Sequence, residues 1–253
     1  MVVKARINGG PVLRLLLDSG AQYLVLDRKA AAKSACRGTT DLDLVGVGAA
    51  TPDAVKRGRA ETVQVDDLTV RDVPLLVEDR NLADGIQGVL PLSIFANFLI
   101  HLDVPGKNLD LLPYSAEEAE PAGALQAIAS NRVLFVRGTV NERSEGYFLL
   151  DTGAAYSAIS QKLARQLNLP QLLADRVALR GGTMDMDAPL FRGAIRVRFG
   201  SRELATDPVV AVDLDTASRF HHLEVSGLIG YPALCDSVLT VSYRDHFVSI
   251  DPR

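Results

Sequence analysis

The stretch Leu15-Leu16-Leu17-Asp18-Ser19-Gly20-Ala21-Gln22-Tyr23 returns in the second half of the chain as Phe148-Leu149-Leu150-Asp151-Thr152-Gly153-Ala154-Ala155-Tyr156. The same offset pairs Leu26 with Ile159, Asp27 with Ser160 and Ala31 with Ala164, so the likeness runs past the motif into the segment behind it. A second pair of blocks closes each half: Gly88-Val89-Leu90-Pro91-Leu92 corresponds to Gly227-Leu228-Ile229-Gly230-Tyr231. The spacing from Gly88 to Pro113 equals that from Gly227 to Pro252. The longer second half takes its extra residues between the blocks, from Asp151 to Gly227, where the first half runs from Asp18 to Gly88. Internal duplication accounts for this pattern. Two copies are too few for a solenoid, so two facing lobes are expected, at residues 1–113 and 124–253. Tyr114 to Gly123, rich in Ala, Glu, Pro and Gly and without apolar periodicity, reads as the linker at 114–123.

Within each half the pattern is β. Val2 to Ile7 and Val12 to Leu17 flank the turn residues Asn8-Gly9-Gly10, and Val133 to Val140 and Tyr147 to Leu150 flank Asn141 to Gly146. Asp27 and Ser160, good helix N-caps, lead the helix-forming runs Arg28 to Ala35 and Gln161 to Leu167. Further helical runs are predicted at Leu92 to Phe98 and, more weakly, at Pro232 to Val238. Strands are predicted at Val63 to Val65, Val73 to Val77, Ile195 to Phe199 and Val209 to Val212. The second half has a strand candidate at Leu125 to Ala129 with no counterpart in the first, which leads to the expectation that the natural protein carries more sequence before Met1. The predicted fold class is all-β, with two homologous β-barrel lobes around a central cleft.

One Asp-Ser/Thr-Gly is an ordinary turn sequence. Two in register, each after an apolar triplet and each followed by Ala, point to chemistry. Hydrolysing an amide with water needs one group to take the water's proton and another to protonate the leaving side. Two carboxylates held close cannot both ionise cheaply, so they share a proton and supply both roles. Such a pair titrates as a unit, and sequence assigns neither Asp18 nor Asp151 a separate role. Gly20 and Gly153 permit close approach of the two loops. Ser19 and Thr152 supply hydroxyls that can hold the carboxylates or the facing backbone.

The chain resembles the aspartic peptidase superfamily of pepsins and retropepsins, most closely the retropepsin-like lobes found in bacterial proteins, over about residues 2–113 and 124–252. The hallmark there is Asp-Thr/Ser-Gly at a strand end and, later in each lobe, a hydrophobic-hydrophobic-Gly element. Asp18-Ser19-Gly20, Asp151-Thr152-Gly153 and Leu228-Ile229-Gly230 match; Val89-Leu90-Pro91 departs, with proline in place of glycine. The resemblance implies a bilobal pseudo-dimer, Asp18 and Asp151 as catalytic residues, an extended polypeptide as substrate, and a flap hairpin over the cleft in each lobe. Gly46-Val47-Gly48 and Gly181-Gly182 lie at comparable places beyond the two aspartates and suit such mobile tips; plain surface loops are the alternative. The chain has no tryptophan, so a pepsin-type aromatic flap is not carried over.

Other function classes find little footing. The 253 residues carry a net charge of −4, with no basic face for nucleic acid, and no apolar run near the ~20 residues that span a bilayer. Gly46-Val47-Gly48 lacks the rest of a nucleotide loop. His221-His222 with Glu224 lacks a helical pair and a third metal ligand, and reads as a polar loop before the Gly227 strand. Asp185 and Asp187 lack the glycine and distal glutamate of a calcium loop and read as a solvated hairpin edge. Cys36 and Cys235 read as two isolated buried thiols; no nucleophile elbow is present. No metal or cofactor is expected.

The expected activity is therefore an aspartic endopeptidase acting as a monomer with internal pseudo-two-fold symmetry. A catalytically silent peptide-binding module of the same fold and an obligate dimer are the alternatives. The compartment stays open: periplasmic or secreted if a leader has been trimmed ahead of Met1-Val2-Val3-Lys4, otherwise cytoplasmic.

Overall fold

The computed structural model describes residues 1–36, 38–44, 53–78, 85–115, 120–121, 123–169, 171–180 and 185–253. In the first lobe, strands β1 (Val2–Ile7), β2 (Val12–Asp18) and β3 (Leu24–Asp27) lead to helix α1 (Arg28–Lys33). Then come β4 (Gly38–Leu44), β5 (Asp53–Val65), β6 (Leu68–Glu78), β7 (Gly88–Pro91), β8 (Phe98–Asp103) and β9 (Asn108–Pro113). The second lobe opens with β10 (Leu125–Ser130), β11 (Val133–Val140), β12 (Ser144–Asp151) and β13 (Ser157–Ser160), followed by α2 (Gln161–Gln166). It continues with β14 (Gln171–Arg180), β15 (Asp185–Phe191), β16 (Ile195–Phe199), β17 (Arg202–Thr206), β18 (Val209–Val212) and α3 (Asp215–His221). It ends with β19 (Val225–Gly230), α4 (Tyr231–Leu234), β20 (Ser237–Ser242) and β21 (Phe247–Pro252).

Alternation drives the strands. In β16, Ile195, Val197 and Phe199 are buried while Arg196 and Arg198 face solvent, the period-two pattern of a strand with one wet face. The two predicted helix starts are capped as expected: Asp27 Oδ1 accepts the Ala30 amide at 2.6 Å, and Ser160 Oγ accepts the Leu163 amide at 3.1 Å. Two sequence readings need correction. Leu92 to Phe98 forms only one 3₁₀ turn at Leu92–Phe95, because Phe98 already starts β8. The segment ahead of the Gly227 strand is not a polar loop. It contains α3, which reaches His221, and His222 ends it in the left-handed conformation at φ 52°.

In the first lobe β1, β2, β7, β3, β6 and β5 close into a six-stranded barrel, with Ile7 opposite Val63 at the seam. The second lobe repeats the path through β11, β12, β19, β13 and β18, and its seam places Val140 opposite Val197. Ile7 and Val140 are related by the same offset as Asp18 and Asp151. Here each long hairpin strand of the first lobe is split in two. β5 is matched by β15 and β16, interrupted at Gly193, and β6 by β17 and β18, interrupted at Asp207-Pro208, where proline cannot donate to a ladder.

A five-stranded antiparallel sheet, β9-β8-β20-β21-β10, joins the lobes. Its central pairing sets Ile100 opposite Val241, His101 opposite Thr240 and Leu102 opposite Leu239. The offset that carries Gly88 to Gly227 also carries Ile100 to Leu239, His101 to Thr240 and Leu102 to Val241. Each pair thus maps onto another pair of the same ladder, as an isologous contact requires, and the pseudo-two-fold axis passes between His101 and Thr240. One apolar core, from Ala5 and Leu15 in the first lobe to Phe148 and Ile250 in the second, runs through both barrels.

Candidate active site

Both Asp-Ser/Thr-Gly loops emerge from equivalent parallel ladders. β2 pairs with β7, placing Asp18 opposite Pro91, and β12 pairs with β19, placing Asp151 opposite Gly230. The turns are tied to their own carboxylates: Asp18 Oδ1 accepts the Gly20 amide at 2.7 Å, and Asp151 Oδ1 accepts those of Gly153 and Ala154 at 3.0 and 2.9 Å. The loops meet across the lobe boundary. A Cβ placed on Gly20 would stand 2.6 Å from Asp151 Cγ, and one on Gly153 would stand 2.5 Å from Asp18 Cγ. Each carboxyl therefore lies against the opposite lobe's glycine, where any side chain would push it aside.

Ser19 and Thr152 hold this contact together. The Ser19 amide donates to Thr152 Oγ1 and the Thr152 amide donates to Ser19 Oγ, both at 3.1 Å. Ser19 Oγ also donates to the Leu150 carbonyl at 2.5 Å, and Thr152 Oγ1 to the Leu17 carbonyl at 3.1 Å. Both side chains are buried, so no water competes for these bonds.

Burial raises both carboxyl pKa values, and a hydrogen bond links the two groups. For Asp18 that rise is opposed by the Gly20 amide, the bond to Asp151 and the Ala21 amide. Asp151 is pushed further, well above the usual carboxylate range, because burial is joined by the charge of Asp18. Two carboxyls so placed share a proton and titrate as one unit. Tyr243, in the β20–β21 turn, is close enough to Asp18 that the carboxylate's charge adds to burial in raising its phenol.

The proline that breaks the first lobe's pattern has a structural counterpart. In the second lobe the Gly230 amide donates to Ser157 Oγ at 3.0 Å, and the Tyr231 amide to the Ala154 carbonyl at 2.9 Å. The equivalents of Ser157 and Gly230 are Leu24 and Pro91, which offer neither side-chain acceptor nor amide donor. A buried hydrogen bond in one lobe is replaced by an apolar pair in the other.

The proposed flap residues Gly46, Val47, Gly48, Gly181 and Gly182 lie outside the described residues. The strands leading to them are antiparallel hairpins whose last described rungs are Leu44–Asp53 and Arg180–Asp185. Asp187 is an exposed residue of β15. His221 Nδ1 contacts Ser130 Oγ and its ring packs edge-on against Phe135, while Lys162 holds Glu224, so these groups do not converge. Among the described residues, no three His, Cys, Asp or Glu side chains group so as to hold a metal ion, and no helix is long and apolar enough to cross a membrane. Cys36 is buried, Cys235 half-buried, and both are free thiols.

One residue that reaches from the second lobe to the first escaped the sequence reading. Arg132, in the β10–β11 turn of the second lobe, sets its guanidinium 5.5 Å from the ring centre of Tyr23 in the first. Asn131-Arg132 between two apolar runs was the available signal for a two-residue turn.

Comparison with known proteins bears on this geometry. The sequence profile of the aspartyl protease family matches residues 3–93 and again 136–233. Among solved structures, the aspartic proteinase from Irpex lacteus superposes with a TM-score of 0.60 at 12% sequence identity, covering 99% of this chain and 93% of that one. That likeness is one of fold. Comparison with curated protein sequences finds no match.

Proposed function

Because the chain belongs to the aspartyl protease family, we propose that it is a single-chain aspartic endopeptidase in which Asp18 and Asp151 activate water against a peptide bond. The observation that carries this reading is the seating of each carboxyl against the opposite loop's glycine. It brings two half-buried, hydrogen-bonded carboxyls together where they must share a proton. The ionised member takes a proton from water, the protonated one donates to the carbonyl oxygen, and the tetrahedral adduct then collapses with a proton passed to the leaving nitrogen. No covalent enzyme intermediate forms. Ser19 and Thr152 act as positioning residues that fix the loops. Gly46-Val47-Gly48 and Gly181-Gly182 serve as flap tips closing on an extended substrate, a role consistent with the hairpin strands on either side.

The lobes are assigned to residues 1–113 and 124–253 with a linker at 114–123, supported by β9 ending at Pro113 and β10 starting at Leu125. Since one chain supplies both aspartates, the working unit is a monomer. The test is hydrolysis of an unstructured protein across pH 3 to 7 by wild type, Asp18→Asn and Asp151→Asn. Cleavage by wild type and its loss in both variants is the expected result. Binding without cleavage by wild type would replace the peptidase reading with a silent peptide-binding module.

A further inference from the structure

At Pro91, the ladder partner of Asp18, the surface opens into a cavity of about 160 Å³ whose lining includes Gln22, Leu24, Ile94, Arg71 and Arg132. We infer that this cavity is a substrate subsite for an acidic side chain; the inference rests on the peptidase reading and adds its specificity.

Position comes first. Pro91 is the ladder partner of Asp18, and adjacent strands run ~4.8 Å apart, so the cavity's Pro91 side adjoins the backbone that carries the carboxyl. An extended chain advances ~3.3 Å per residue. A side chain entering here therefore belongs to a residue within about three positions of the bond being cut. Arg132 is contributed by the second lobe and the other ten lining residues by the first, so the cavity sits at the junction of the lobes, as the dyad does. It also occupies the place where the lobes differ. Leu24 and Pro91 both line it, whereas the equivalent Ser157 and Gly230 are hydrogen-bonded to each other.

Charge decides the ligand. Among the described residues neither Arg71 nor Arg132 has a carboxylate partner, and Arg132 contacts the face of Tyr23. Asp72 also lines the cavity, but Arg59 engages its carboxylate, with Nε to Oδ1 at 2.6 Å and Nη2 to Oδ2 at 2.5 Å. Two guanidiniums thus face one small cavity in a chain of net charge −4. A carboxylate there satisfies fork-shaped donors that otherwise repel each other. Arg132 is held at this spot by its turn. Ser130 pairs with Val133, leaving Asn131 and Arg132 as a two-residue loop with φ of 48° and 70°. The second position of such a turn ordinarily takes glycine, and a long cation stands there instead.

The experiment has two arms. In the first, a mixed peptide library is digested, and matched peptides carrying Glu or Gln at each position flanking the preferred bond are compared by kcat/KM. Wild type is expected to favour Glu over Gln at one fixed position by about tenfold or more. Arg132→Ala should bring that ratio close to one, Arg71→Glu should do likewise, and Arg132→Glu should shift preference to Lys. Using a ratio separates selectivity from any general loss of activity or folding. Cleavage with no acidic preference, or with a preference unmoved by these changes, overturns the subsite and leaves the peptidase standing. In the second arm, fluorescence anisotropy measures binding of labelled Glu and Gln peptides to wild type and Arg132→Ala. Arg132-dependent selection of the Glu peptide without cleavage keeps the subsite and removes the peptidase. Equal binding of both peptides, or none, in a protein that does not cut overturns both.

Discussion

Ser19 and Thr152 are each other's hydrogen-bond acceptor across the lobe boundary, with both amide-to-hydroxyl distances 3.1 Å. The arrangement makes the two loops one unit. Thr152→Val removes the acceptor for the Ser19 amide and the donor to the Leu17 carbonyl in a dry setting, and unsatisfied buried groups cost about 1–3 kcal/mol each. Thr152→Val and Ser19→Ala are each expected to lose ~2–4 kcal/mol in urea unfolding. Each single change removes one of the two reciprocal bonds and leaves the other, so a double variant that loses less than the sum, the result expected for residues in one network, would show that the loops part as one unit. Strict additivity would show that the two hydroxyls act independently.

Gly20→Ala and Gly153→Ala test the close approach. Either Cβ would meet the opposing Asp Cγ at 2.6 or 2.5 Å, so the carboxyl must move. Displacing a reacting group by ~1 Å lowers rate by about 10²-fold. The expected result is loss of kcat on that scale with the circular dichroism spectrum retained. A fully active Gly20→Ala enzyme would remove Asp151 from its assigned place.

The unlike pair Pro91 and Gly230 makes another prediction. A Cβ at Gly230 would lie 2.6 Å from the Tyr156 carbonyl oxygen and 3.0 Å from that of Ala154, both backbone atoms with little freedom. Gly230→Ala is expected to cost ~2 kcal/mol or more by overpacking. At the corresponding position of the first lobe Pro91 already carries a Cβ, so Pro91→Ala should cost less than ~1 kcal/mol. Ser157→Ala, which strands the buried Gly230 amide, should lose ~1–3 kcal/mol. Thermal melts of the three variants rank them; equal melting temperatures would refute the asymmetry.

The repeated loops were legible because each is an unbroken run of adjacent residues: Asp18 to Tyr23 can be laid over Asp151 to Tyr156 by eye. The caps Asp27 and Ser160 were legible for the same reason, since capping is local. What escaped depends on partners distant in sequence. Helix α3 buries Ala217 but otherwise shows a mixed face, and it is held by groups such as Ser218, whose hydroxyl accepts the Val225 amide at 3.0 Å. The split of the second lobe's hairpin at Gly193 and Pro208 becomes visible only beside the unbroken β5 and β6. Arg132 made a weak turn signal because arginine rarely takes a left-handed conformation. The His101–Thr240 axis needs two strands from opposite halves of the chain to be seen as neighbours.

The dyad ties stability to pH in a direction opposite to that of ordinary surface carboxylates. Burial raises both folded-state pKa values, so between the unfolded value of ~3.9 and the folded values the native state binds more protons than the unfolded chain. The dyad's contribution is thus most favourable below about pH 4 and is lost as pH rises through the raised values. His221 has the reverse sign: burial lowers its pKa, and its contribution is lost as pH falls below ~6.5. That term is common to wild type and an Asp151 variant and cancels in their difference. Asp151→Asn keeps a side-chain oxygen for the Gly153 and Ala154 amides while removing the buried charge. It is expected to abolish hydrolysis yet melt ~2–4 °C above wild type at pH 7, with the gain vanishing near pH 3. Melting curves of both proteins at those two pH values decide it. A variant equally destabilised at both would show that the hydrogen bonds to Asp151, and not its desolvation, dominate at this position.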